Sequence, residues 1–183
     1  PVAEGRVLQA LQAQGGLSEE ESAQWLDSLI AQGRWGEAQA RWLGNIPLPA
    51  GTLPWVFNGD FSQSPTGRGF DWRTPQTPGV LVTFEPAAGA QGMTAHLDFM
   101  DRQIANAGIR HALVLPPGAY AMRIRMRAMG LRSAIGLQWR VSCAGPGGTL
   151  VSGNPVDGNF DWRTDAMDFE VPEKGCPGQW LEL

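Results

Sequence analysis

The segment Tyr120 to Met129, YAMRIRMRAM, alternates in strict register. Tyr120, Met122, Ile124, Met126 and Ala128 take one set of positions and Arg123, Arg125 and Arg127 the other. In an extended strand the two sets face opposite sides, so three guanidiniums would project from one face. The following segment, GLQWRVSC, alternates in the same way, with Gln138 and Arg140 opposite Leu137, Trp139, Val141 and Cys143. A hairpin of the two segments would place four arginines on one sheet face. No Asp or Glu occurs between Ala105 and Val156, so the counter-charges must come from other strands or from a ligand. The guanidinium fork matches carboxylates and planar acceptors, which suits a sugar, a uronate or a phosphate-bearing ligand.

One donor of such counter-charge is AHLDFMD, where inward Ala95, Leu97 and Phe99 leave His96 and Asp98 outward. Asp98 opposite an arginine of the ladder would form a cross-strand ion pair worth about 0–1 kcal/mol when exposed. Two readings of the arginine face therefore stand side by side: a solvated ladder of ion pairs, and a polar binding groove.

The pentapeptide FDWRT occurs twice, at Phe70 to Thr74 and Phe160 to Thr164. In one reading each copy buries Phe and Trp while Asp and Arg pair at the surface. In the other, Trp72 and Trp162 rim a binding face, stack on sugar rings, and are assisted by Arg73 and Arg163. The copies have unequal surroundings and do not mark a repeat unit.

Cys143 ends a core-facing segment and Cys176 follows VPEKG; both lie beside turns. We expect a disulfide between them. It would close a loop of about thirty residues, contribute on the order of 3–4 kcal/mol, and place the protein in an oxidising compartment, the periplasm or the cell exterior. Two separately buried thiols are the alternative. With His96 and His111 the only histidines, a four-ligand zinc site would need all four residues to converge from distant segments, so no metal is expected. There is no nucleophile elbow, phosphate loop, zincin helix or dinucleotide fingerprint, and no acid and base are positioned by spacing. No catalytic residue is assigned, and an enzyme is not expected.

The elements that must carry these groups divide the chain in three. Residues 1–44 have helical grammar: Ser18 and Glu21 form a capping box, Ala23, Leu26, Leu29 and Ile30 recur at helical spacing, and Gly33 stops the helix. Trp35, Ala38, Trp42 and Leu43 make a second stripe. AQGRWGEAQARW resembles the joint of a tetratricopeptide-type helical hairpin. Residues 45–55, rich in proline, read as a linker. From 56 to 183 the period changes to two, with strands expected over 80–85, 94–100, 109–115, 120–129, 134–143, 166–171 and 180–183. That many short strands bounded by Gly, Pro or Asn mean an antiparallel sandwich or barrel.

A formal net charge of −4 argues against a nucleic-acid binder, and no apolar run is long enough to span a membrane. Nothing at the start reads as a signal peptide, and a chain beginning at Pro1 reads as processed or trimmed.

FNGDFSQSPTGRGFDW, IRHALVLPPGAYAMRIRMRA and FDWRTDAMDFEVPEKGCPGQWLEL together resemble the galactose-binding-like jelly-roll domains, especially carbohydrate-binding modules of the family 4/9/22 type. The resemblance covers most of residues 57–183, with FNGDF standing for the first strand. It implies a mainly β fold, an antiparallel jelly-roll β-sandwich behind a short N-terminal α-helical hairpin. Such domains often hold a structural calcium, but no acidic loop here specifies one, so no cofactor is assigned. They commonly end on a further strand with an acidic pair, whereas this sequence stops at Leu183; the expectation is either that a terminal strand is missing or that the sheet edge is covered in another way. The expectation is a non-catalytic module for a glycan or polysaccharide, including an acidic exopolysaccharide, in an envelope or secreted protein. Its rival is a protein-interaction module of a cell-envelope assembly.

Overall fold

The computed structural model describes residues 17–46, 54–90, 92–100, 104 and 106–183. Most of the expected linker, and the first sixteen residues of the expected helical segment, lie outside the described residues.

Helix α1 (Glu19–Ala31) starts on the capping box. The Glu21 backbone donates to Ser18 Oγ at 3.3 Å, and the Ser18 backbone donates to Glu21 Oε2 at 2.9 Å. Gly33 takes a φ of +76°, the left-handed conformation that turns the chain into α2 (Trp35–Leu43). The stripe of α1 and α2 buries Trp25, Leu26, Leu29, Trp35, Ala38 and Trp42 with Phe70 and Ala112.

Among the described residues eight strands follow: β1 (Val80–Pro86), β2 (Met93–Phe99), β3 (Arg110–Leu113), β4 (Gly118–Leu131), β5 (Arg140–Cys143), β6 (Thr149–Ser152), β7 (Gly158–Val171) and β8 (Gln179–Glu182). A four-stranded sheet runs β3-β8-β5-β6, and β1-β2 and β4-β7 form two-stranded sheets. Every pair is antiparallel. The inner faces meet over one core, in which Val141 and Leu181 of the larger sheet pack with Met167, Phe169 and Val171 of β7. Ala95, Leu97, Met122 and Ile124 close it from β2 and β4. This is the mainly β, antiparallel sandwich that the two-residue period predicts, with the N-terminal helices expected from the capping box and helical spacing.

The helical hairpin covers part of the opposite face of the four-stranded sheet. Trp35 meets the Trp180 ring edge-on at 5.3 Å, and Trp42 meets Phe57 at 4.7 Å. The approach is so close at Gly178 that a β-carbon there would stand 2.1 Å from the Trp35 ring. Cys143 and Cys176 form the expected disulfide, with Cα atoms 5.0 Å apart, tying the end of β5 to the turn before β8.

Several boundaries differ from the periodic reading. FNGDF forms turns and not a first strand, because its polar groups knit a loop around Asp71, as described below. The strand expected over 134–143 begins only at Arg140, and β7 starts eight residues earlier than 166. The second FDWRT therefore lies inside a strand. β6 was not expected; TLVS is too short to show a period. The hairpin between YAMRIRMRAM and GLQWRVSC does not form, since β4 pairs with β7 while β5 pairs with β6 and β8. β4 and β7 are both 14 residues long and can satisfy each other's backbone over nearly their whole length, which a four-residue β5 cannot.

Candidate functional site

The outer face of β4 and β7 carries the arginine strip. Arg123 stands opposite Ala166 and Arg125 opposite Thr164, so small side chains leave room around both guanidiniums. All three arginines of β4 are exposed. Among the described residues none of them has a carboxylate within ion-pair distance. Asp168 and Glu170 share this face, but stand opposite Ala121 and Ala119 toward its far end.

Backbone carbonyls and an indole take the place of acids. Arg125 donates to the Gly89 carbonyl at 2.9 Å and Arg127 to the Ala88 carbonyl at 3.2 Å. Their guanidinium carbons lie 5.0 and 5.2 Å from the Trp162 ring centroid, within cation–π range. Trp162 donates its indole N–H to Ala88 at 2.8 Å. Residues 87–90, which follow β1, are thus strapped across one end of the strip. Arg123, beyond the strap, makes no side-chain hydrogen bond among the described residues, and its donors face solvent.

The other predicted residues are distributed differently. Arg163 lies on the opposite face from Arg125, as the partner of Met126; it pairs with Asp165 at 3.1 Å and covers the Phe160 ring at 4.1 Å. Gln138 donates to the Gly153 carbonyl at 2.6 Å, and Arg140 lies on the four-stranded sheet. The four-arginine face is corrected to three, because β5 belongs to another sheet. His96 sits between Asp98 at 3.1 Å and Glu85 at 3.6 Å on the β1-β2 hairpin. Asp98 therefore pairs with histidine and does not stand opposite the ladder.

The first FDWRT copy builds the fold. Trp72 is 5% exposed and packs on Phe61, His111 and Trp139, donating its ring N–H to the Asn58 carbonyl at 2.9 Å. It is not at a rim, because the 57–73 loop folds over it. Asp71, 2% exposed, accepts from the Thr66 backbone at 2.8 Å, the Thr66 hydroxyl at 3.0 Å, the Trp72 backbone at 2.8 Å and Asn58 Nδ2 at 3.4 Å. Arg73 donates to Asp27 of α1 at 2.7 Å and to the Gly69 carbonyl at 2.8 Å. The same pentapeptide ties a loop at one site and lines an exposed face at the other.

Sequence reasoning missed four participants. The 87–90 strap carries no polar side chain to announce it. Asn58 and Asp71 give no periodic signal. His111, buried on β3, donates Nε2–H to the Phe57 carbonyl at 3.0 Å, while its Nδ1 has no hydrogen-bond partner among the described residues. Burial holds its pKa down to about 4. No cluster of three metal-binding side chains occurs among the described residues.

No protein-family model matches the sequence, and no curated protein matches it. Among solved structures, a carbohydrate-binding module from the Cellvibrio mixtus lichenase 5A, in complex with cellotriose, is similar over 60% of this chain and 86% of that one. The sequence identity is 13% and the TM-score 0.33, a likeness too distant to locate a ligand site here.

Proposed function

We propose that this chain is a non-catalytic glycan-binding module that holds an acidic polysaccharide along the β4-β7 face. The observation that carries this reading is the exposed strip Arg123, Arg125 and Arg127 without ion-pair partners among the described residues. Arginines two residues apart on a strand repeat every ~7 Å along one line, a spacing suited to a linear polyanion. Arg123 supplies the free donors, Trp162 an aromatic edge, and Asp168 and Glu170 acceptors for sugar hydroxyls. The Cys143–Cys176 bridge supports an oxidising location, periplasmic or extracellular. No described helix is long and apolar enough to cross a membrane.

A second reading, a protein-interaction module of a cell-envelope assembly, is favoured by the strap that covers Trp162 and by Met129 and Ile135. These two apolar side chains are 82% and 87% exposed near the same end of β4. A binding screen against neutral and acidic glycans, run beside an Arg123→Ala/Arg125→Ala variant, separates the two. Salt-sensitive binding to acidic glycans that the variant loses supports the glycan module. Binding to none of them sinks it and turns the search to a pull-down from envelope extract.

A further inference from the structure

A second charged row crosses the other sheet. On the face of β3-β8-β5-β6 turned away from the sandwich core, Arg73 bridges to Arg110, Arg110 stands opposite Glu182, Glu182 opposite Arg140, and Arg140 opposite Ser152. Directly paired residues on antiparallel strands project from the same side, so three arginines and one glutamate form a continuous line. The next row, Ala112, Trp180 and Ser142, lies at the margin of the helical hairpin. The charged row is therefore a shelf walled at one end by α1, whose Asp27 takes Arg73, and open at the Arg140 end.

The shelf is not internally neutralised. Arg73 and Arg110 are like charges directly opposite each other; Asp27 answers Arg73, and Arg110 has no ion-pair partner among the described residues. Both guanidiniums turn toward the Trp180 ring, at 5.4 and 4.7 Å, and the Nε atoms of both are buried without a hydrogen-bond acceptor among the described residues. Glu182, flanked by Arg110 and Arg140, makes no ion pair with either. The shelf thus offers unused donors on both sides of an unused acceptor.

We infer that this row is a binding site for a small hydroxy-acid of the sugar-acid type, separate from the β4-β7 face. An oxyanion answers Arg110 and Arg140, because planar guanidiniums pair with carboxylates through two parallel bonds. A hydroxyl next to that carboxylate donates to Glu182, which would repel a bare anion placed beside it. Trp180 backs the Arg73 and Arg110 guanidiniums and restrains their orientation. This assignment stands whether or not the β4-β7 face binds a polysaccharide.

The test follows the Trp180 indole N–H by NMR, assigned with Trp180→Phe, while the protein is titrated with sodium glucuronate, sodium sulfate or sodium chloride at matched ionic strength. Glucuronate is expected to shift the signal saturably, and sulfate to bind at least about tenfold more weakly. Arg140→Gln, at an exposed position, should weaken glucuronate about tenfold, whereas Arg123→Ala/Arg125→Ala should leave it unchanged. Glu182→Gln should reverse the preference toward sulfate. No saturable shift with glucuronate overturns the site. Equal sulfate and glucuronate affinity overturns the hydroxy-acid assignment, and loss in the Arg123→Ala/Arg125→Ala variant returns the binding to β4-β7.

Discussion

Trp162 donates its indole N–H to the carbonyl of Ala88 at 2.8 Å, 74 residues away in the chain. This bond, with those of Arg125 and Arg127 to the same loop, fastens the β1-β2 hairpin to the outer face of the β4-β7 ladder. The loop must approach the ring closely. Gly89 has a φ of +79°, and a β-carbon there would lie 3.0 Å from Trp162 Cδ1. Gly89→Ala should therefore destabilise the protein by about 1 kcal/mol and speed amide exchange across residues 87–90. Exchange at wild-type rates would show that the strap does not depend on this contact.

The two FDWRT copies should respond oppositely to loss of their aspartates. Asp71 is buried under four accepted hydrogen bonds, and Asp71→Ala would strand those donors at about 1–3 kcal/mol each for any left unsatisfied. A loss of at least 3 kcal/mol in urea unfolding is expected. Asp161 is exposed and accepts only from the Trp162 backbone among the described residues; Asp161→Ala should cost no more than about 0.5 kcal/mol. Similar losses at both sites would contradict the division between a structural and an exposed copy.

His111 should make stability depend on acid. Burial lowers its folded pKa to about 4, against an unfolded value near 6.5. Between those values the unfolded chain binds the extra proton, so the contribution is fully present above pH ~6.5 and is lost as pH falls toward about 4. The full span corresponds to about 3 kcal/mol. Urea midpoints at pH 7.0, 5.5 and 4.5 should fall in that order. His111→Gln should flatten the slope in this window; an unchanged slope would assign it to carboxylates instead.

Reduction of Cys143–Cys176, which are 33 residues apart, should lower stability by about 3–4 kcal/mol in the chain-entropy model. A Cys143→Ser/Cys176→Ser variant should match the reduced protein in its thermal midpoint. If reduction leaves the midpoint unchanged, the bridge does not stabilise the sandwich.

The sequence by itself determined the local elements whose signals are local. The Ser18–Glu21 capping box, the turn at Gly33 and the alternation of YAMRIRMRAM are each set by neighbouring residues, because helix caps and strand facing depend on spacing within a few positions. The proximity of Cys143 to Cys176 was legible too, since both flank turns. What the tertiary structure decided is which strands meet. Alternation states that Arg125 and Arg140 each oppose a core residue, but not that β4 would pair with β7 while β5 joined β8. Strand pairing is a long-range choice governed by matched length and by the burial of inward faces, so it placed Arg140 with Arg73 and Arg110 and left the β4 strip with three arginines. The same choice separated identical pentapeptides: burial under the 57–73 loop took Trp72 into the core, while pairing with β4 held Trp162 on the outer face.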